Sequence, residues 1–209
     1  MNIDHILEAG PVIPVIVIDH LEDAVPLAQA LVRGGLRVLE VTLRTPVALE
    51  AIAAMRTVEG AIVGAGTVLG QAQYDAAIAA GAQFVVSPGL TEALVALAAA
   101  RSAVPLLPGA ATASEVMRAR EAGYTRLKFF PAEASGGVAA LKSLGSVFPD
   151  VRFCPTGGIS SDSATRYLAL KNVACVGGSW PMPDEAMNKR DWGRIERLAA
   201  ATADLRRAR

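Results

Sequence analysis

Residues 12–42 read VIPVIVIDHLEDAVPLAQALVRGGLRVLEVT, and this one stretch holds the unit from which the whole chain is built. VIPVIVI (12–18) and LRVLEVT (36–42) are short apolar runs rich in Val, Ile and Leu. Between them, DAVPLAQALVRGG spaces its apolar residues near 3.6 and ends in glycine, the favoured residue past a helix C-terminus. Strands that are apolar along their length are buried on both faces, and strands joined by helical crossovers run parallel. The stretch is therefore a strand–helix–strand unit.

The unit recurs outward along the chain. AIVGAG (61–66), QFVVSP (83–88), VPLLPG (104–109), RLKFFP (126–131), VRFCPT (151–156) and VACVGG (173–178) bring the strands to eight, with starts 21 to 25 residues apart. TASEVMRAREAGY (112–124) repeats the helical spacing. Eight units in a row predict an α/β fold, a single-domain (β/α)8 barrel over residues 1–209 with N-terminal and C-terminal helices. An open doubly wound sheet is the lesser alternative, because no GxGxxG follows the first strand. The tail DWGRIERLAAATADLRR reads as a helix expected to pack across the barrel, and the final RRAR as a solvated end.

Composition narrows the function. The 20 basic and 20 acidic residues balance and form no basic stripe, which argues against a nucleic-acid partner. Mean hydropathy is high at +0.37, yet no run reaches the roughly 18 uninterrupted apolar residues of a membrane span. The apolar content belongs to a core, and no membrane association is expected. The opening MNIDHILEAG has no basic n-region, so a cytoplasmic location is expected. Cys154 and Cys175 stand in apolar runs without metal-ligand spacing and read as reduced core residues. With only His5 and His20, both near the start, a histidine-based mechanism is a poor fit.

In a barrel of this kind the active site forms at the C-terminal ends of the strands. The glycine pairs Gly157-Gly158 and Gly177-Gly178 end strands 7 and 8, where phosphate sites of such barrels commonly sit. Lys128 lies within RLKFFP. A buried ammonium without a partner tends to lose its proton, and a neutral amine can attack a ketone to form an imine. Glu40, within the apolar VLEVT, could move the protons that imine chemistry requires. Arg44 could hold a substrate carboxylate through a bidentate pair. Structural alternatives stand beside these readings: Lys128 on an exposed edge or ion-paired with Glu40 or Glu133, and Glu40 paired with Arg44. Glu133 itself reads as a cap for the following helix, and Trp180 and Trp192 as packing or subunit-interface residues.

The segments LEVTLRT, GAGTVL, VSPGLTE, PGAAT, KFFPAE, FCPTGGIS and GGSW, in this order and spacing from about Pro14 to Pro183, resemble the small class I aldolases of 2-keto-3-deoxy-6-phosphogluconate (KDPG) and 4-hydroxy-2-oxoglutarate. The resemblance implies Lys128 as the Schiff-base lysine and Glu40 as general acid/base. It implies Arg44 and Thr67 at the substrate carboxylate, Pro88 and Phe130 in the pocket wall, and Thr156 near the substrate hydroxyls. It places Gly157, Gly158, Gly178 and Ser179 on the phosphate. It further implies a lyase of the Entner–Doudoroff pathway that works on small-molecule substrates as a homotrimer, without metal or organic cofactor. The TLR of strand 2 favours the gluconate over the galactonate substrate. A phosphosugar isomerase or epimerase, or a non-catalytic phosphometabolite-binding barrel, would share the glycine pairs but leave Lys128 and Glu40 unexplained.

Overall fold

The computed structural model describes residues 2–205; the RRAR segment lies outside the described residues. The elements run α1 (Ile3–Glu8), β1 (Val12–Ile16), α2 (Ala24–Arg33), β2 (Val38–Thr42), α3 (Ala48–Met55), β3 (Ile62–Gly66), α4 (Gln71–Ala79), β4 (Val85–Val86), α5 (Glu92–Ala100) and β5 (Leu106–Leu107). They continue as α6 (Ala113–Glu121), β6 (Arg126–Phe129), α7 (Gly137–Val147), β7 (Arg152–Pro155), α8 (Ser161–Leu168), β8 (Val176–Gly178), α9 (Asp184–Asn188) and α10 (Trp192–Ala203). Every strand anticipated from the sequence is present in order. All eight are shorter than the runs read from the sequence, and for β4 and β5 the reason is chemical. Pro105 and Pro108 flank β5 and Pro88 follows β4, and proline has no N–H to give to a ladder. β1 stops at Ile16, two residues early, and Val17–Ile18 belong to the mouth.

All strand pairs are parallel, in the order β5-β4-β3-β2-β1-β8, with β6 and β7 paired separately. Two single bridges complete the circuit. Gly109 pairs with Lys128 to join β5 to β6, and Thr156 pairs with Gly177 to join β7 to β8. The result is a closed (β/α)8 barrel.

Alternation along each strand separates two apolar regions. Leu39, Val41, Val63, Leu127 and Phe153 point outward into the layer beneath the helices. Ile13, Val38, Ile62, Phe84, Val86, Leu107, Cys154 and Cys175 fill the barrel interior together with Ile6 and Leu7 of α1. α1 thus plugs the N-terminal end, capped by Asn2, whose side chain accepts from the His5 N–H. Asp4 of α1 also pairs with Arg126 at the start of β6. The cysteines are buried and unbridged, as expected. The C-terminal helix α10 lies against α2 on the outside of the barrel. Ala199 and Glu196 come so close to Gly34 that a Cβ there would collide with them. Among the described residues, no helix is long and apolar enough to cross a membrane.

Candidate active site

Position 40 is the second inward-facing position of β2, after Val38 has been used for the barrel interior. Lys128 occupies the corresponding place on β6. The barrel brings these two residues, 88 apart in sequence, to one hydrogen bond: Lys128 Nζ donates to Glu40 Oε1 at 3.0 Å. Both side chains are almost wholly withdrawn from solvent, 7% and 4% exposed. Lys142, Lys171 and Lys189 are exposed, so Lys128 is the one buried lysine of four. Two of the alternatives left open by the sequence are thereby decided. Lys128 is not on an edge, and Glu40 pairs with Lys128 rather than with Arg44. An ion pair held in a low-dielectric interior contributes little net stability against an apolar replacement, whereas removal of one partner strands a charge. Such a pair points to chemistry.

The neighbours of the pair are shaped around it. A Cβ at Gly66 on β3 would lie 2.3 Å from Glu40 Oε1, so only glycine leaves room for the carboxylate. Thr67, the next residue, has φ +61°, an outlier for a β-branched side chain and a sign of a constrained site. Pro88 packs its carbonyl oxygen against Gly109, the bridge partner of Lys128. Phe130 stands two residues beyond Lys128, its ring centroid 5.6 Å from Nζ. Thr42 donates to the Ile16 carbonyl at 2.9 Å, and Arg44 Nε donates to Thr42 Oγ1 at 3.1 Å.

A cavity of about 940 Å³ opens beside this cluster. Of the residues singled out in the sequence, Arg44, Phe130, Thr156, Gly157, Gly158, Gly178 and Ser179 line it. Lys128, Glu40, Thr67 and Pro88 do not; the first two are buried beside it and the last two are half-buried. The site therefore has two parts, a reactive pair around β2 and β6 and an anion-friendly wall at the ends of β7 and β8. Gly157 and Gly158 both have positive φ, +104° and +77°, a conformation that turns peptide N–H groups into a concave nest.

Sequence reasoning missed several lining residues. Asp19 and His20 line the cavity, as do Asp23, Asp184 and Arg190. Arg190 bridges to Asp23 at 2.7 Å and Glu22 at 2.9 Å, which ties the segment after β8 to the segment after β1. Glu133 is not a helix cap: α7 starts after Gly136, and the Glu133 carboxylate accepts from Tyr167 Oη at 2.6 Å. Trp180 packs on Gly178 and donates to Thr202 Oγ1 at 3.3 Å, in keeping with a packing role.

A closed barrel with a buried lysine–carboxylate pair beside a glycine-rich cavity wall has the features of an enzyme built for imine chemistry. Residues 3–198 match the family model described as KDPG and KHG aldolase, and the chain belongs to that family. It is 55% identical over 197 residues to the KHG/KDPG aldolase of Escherichia coli K12, covering 94% of this chain and 92% of the relative. The crystal structure of 2-keto-3-deoxy-6-phosphogluconate aldolase from Zymomonas mobilis superposes with a TM-score of 0.94 at 52% identity, covering 98% of each chain. The KDPG aldolase of Legionella pneumophila, solved with pyruvate captured at low pH as a covalent carbinolamine intermediate, superposes at 0.92 with 51% identity, covering 96% of this chain and 97% of that one.

Proposed function

We propose that this chain is a class I, Schiff-base aldolase that cleaves 2-keto-3-deoxy-6-phosphogluconate to pyruvate and glyceraldehyde 3-phosphate, and that it also accepts 4-hydroxy-2-oxoglutarate. The observation that carries this reading is the buried Lys128–Glu40 pair at 3.0 Å, in a chain more than 50% identical to enzymes of that name. Lys128 gives its proton to the adjacent carboxylate, and the free Nζ attacks the C2 ketone to form a carbinolamine. Glu40 returns a proton to the C2 oxygen, water leaves, and the iminium forms. Arg44 and Thr67 hold the C1 carboxylate, between walls supplied by Pro88 and Phe130. Glu40, acting through a water, removes the C4 hydroxyl proton; the C3–C4 electrons flow into the iminium, and glyceraldehyde 3-phosphate departs. The remaining enamine takes a proton at C3, and hydrolysis of the iminium frees pyruvate and restores the amine.

Thr156 serves the substrate hydroxyls, and Gly157, Gly158, Gly178 and Ser179 the phosphate. The iminium nitrogen takes up the electron pair of the breaking C3–C4 bond and returns it when the enamine is protonated at C3, so the steps call for no metal or organic cofactor. The reaction belongs at the aldol-cleavage step of the Entner–Doudoroff pathway, in the cytoplasm. A homotrimer follows from the family resemblance. The 61% exposed Leu69, two residues past Thr67, is an apolar side chain such an assembly would cover. Sedimentation tests the assembly. The activity is tested by incubating KDPG with enzyme in the presence of a chelator: equimolar pyruvate and glyceraldehyde 3-phosphate are expected, and an isomerised or epimerised sugar acid with no pyruvate would refute the aldolase.

A further inference from the structure

The turn that follows Lys128 on β6 is bound to the glycine turn at the end of β7. Ala132 N–H donates to the Thr156 carbonyl at 2.8 Å, and Glu133 N–H donates to the Gly157 carbonyl at 3.1 Å. A trans peptide carries its N–H opposite its C=O. With both carbonyls drawn toward the β6–α7 turn, the N–H groups of Gly157 and Gly158 face the other way, toward the side of Gly177 and Gly178 where the cavity lies.

The side chain of Glu133 adds a second restraint. Its Cβ and Cγ rest against Gly158, where an added Cβ would meet both at 2.9 Å. Its carboxylate, otherwise exposed, is held by Tyr167 Oη at 2.6 Å. Tyr167 is fully buried on α8, the helix that begins immediately after the glycine turn. Gly137 completes the arrangement, since a Cβ there would lie 3.0 Å from Tyr167 Oη and 3.5 Å from Glu133 Oε2. Burial, the hydrogen bond to Glu133 and the Glu133 charge all raise the Tyr167 pKa, so the hydroxyl stays a donor at every working pH.

From this geometry we infer that Glu133 and Tyr167 form a positioning pair that holds the Gly157-Gly158 turn in its anion-binding form and so sets the preference for phosphorylated over unphosphorylated hydroxy-oxo acids. The inference rests on the aldolase reading and deepens it. Neither side chain is a catalytic residue. They act through the backbone of the turn, so their removal affects the phosphate end of the substrate and spares the imine end.

The test compares Tyr167→Phe, Glu133→Ala and Glu133→Gln with the wild type on KDPG and on 4-hydroxy-2-oxoglutarate, which has no phosphate. Tyr167→Phe keeps the buried ring and removes only the donor. Loss of one hydrogen bond to a charged group corresponds to a KM for KDPG raised on the order of 10-fold, with kcat and the kinetics on 4-hydroxy-2-oxoglutarate within about 2-fold of wild type. Glu133→Ala should behave alike, and Glu133→Gln, whose amide oxygen still accepts from Tyr167, should recover most of the loss. Calorimetry with inorganic phosphate gives a reading independent of turnover: weaker binding to Tyr167→Phe is expected. Equal losses on both substrates, unchanged KM for KDPG, or unchanged phosphate affinity would overturn the pair's role. A wild type inactive on both substrates would instead contradict the aldolase assignment, and the phosphate titration would still judge the pair.

Discussion

The two ends of the barrel interior are made by the same strands and do opposite things. At the N-terminal end, Val38, Ile62, Phe84, Leu107, Cys154 and Cys175 meet Ile6 and Leu7 of α1 in a dry, apolar plug. Two residues further along, about 6.6 Å of strand, β2 presents Glu40, β3 Gly64 (with Gly66 two residues beyond), β7 Thr156 and β8 Gly177. Large apolar side chains give way to a buried ion pair and to glycines: Gly66 leaves room for Glu40, Gly64 for the Phe84 ring and Gly177 for Thr156. The lower layer gains from being full, the upper from being partly empty. A substitution should therefore affect stability or turnover according to its layer.

The largest expected effect lies in the upper layer. Lys128→Arg keeps the charge beside Glu40 but offers no nucleophilic amine, so kcat should fall on the order of 10⁴-fold or more while the thermal midpoint stays close to wild type. Steady-state assays and a thermal melt on the same preparation check both halves of that statement. Glu40→Gln should lower kcat by about 10²–10⁴-fold, the usual worth of a positioned acid/base, and slow imine formation with pyruvate in a stopped-flow trace. In the lower layer the result should invert. Phe84→Ala removes a fully buried ring from the plug and should cost about 3–5 kcal/mol in denaturant unfolding, with kcat of the remaining folded enzyme changed by less than about 10-fold. If Phe84→Ala instead abolished turnover without loss of stability, the division into layers would be wrong.

The smallest effect concerns a helix start near the mouth. Glu115 closes a capping box with Thr112 at α6, and the Ala111 N–H above all, joined by that of Thr112, holds its carboxyl below the ordinary 4.5. A carboxyl lowered in the folded state adds stability above its unfolded pKa and loses it as pH falls through the folded value. The melting-temperature gap between wild type and Glu115→Gln should thus be present at neutral pH and close as the pH drops below 4.5.

Much of the fold could be read in the chain because period and punctuation are local signals. Each strand is a short apolar run, six of the eight ended by or at glycine, proline or serine, and a (β/α)8 order follows from eight repeats. Lys128 and Glu40 were conspicuous for the same reason, each a charge inside an apolar run. The partners invisible in the sequence are those whose contacts depend on the closed barrel. Tyr167 reaches Glu133 across 34 residues, and Arg190 reaches Glu22 across 168. No periodicity links such pairs, and Glu133, taken alone just before a helix, has the look of a cap. The path of α10 along α2 was likewise hidden, because an amphipathic tail shows that it packs but not on which neighbour.

The most direct measurement is borohydride reduction in the presence of pyruvate, followed by peptide mass mapping of the four lysines. A single reduced pyruvyl adduct on Lys128, absent from Lys142, Lys171 and Lys189, is the predicted result, and it would show that the buried amine is the nucleophile. A folded enzyme that cleaves KDPG yet gives no adduct on Lys128, or carries it on an exposed lysine, would contradict the account.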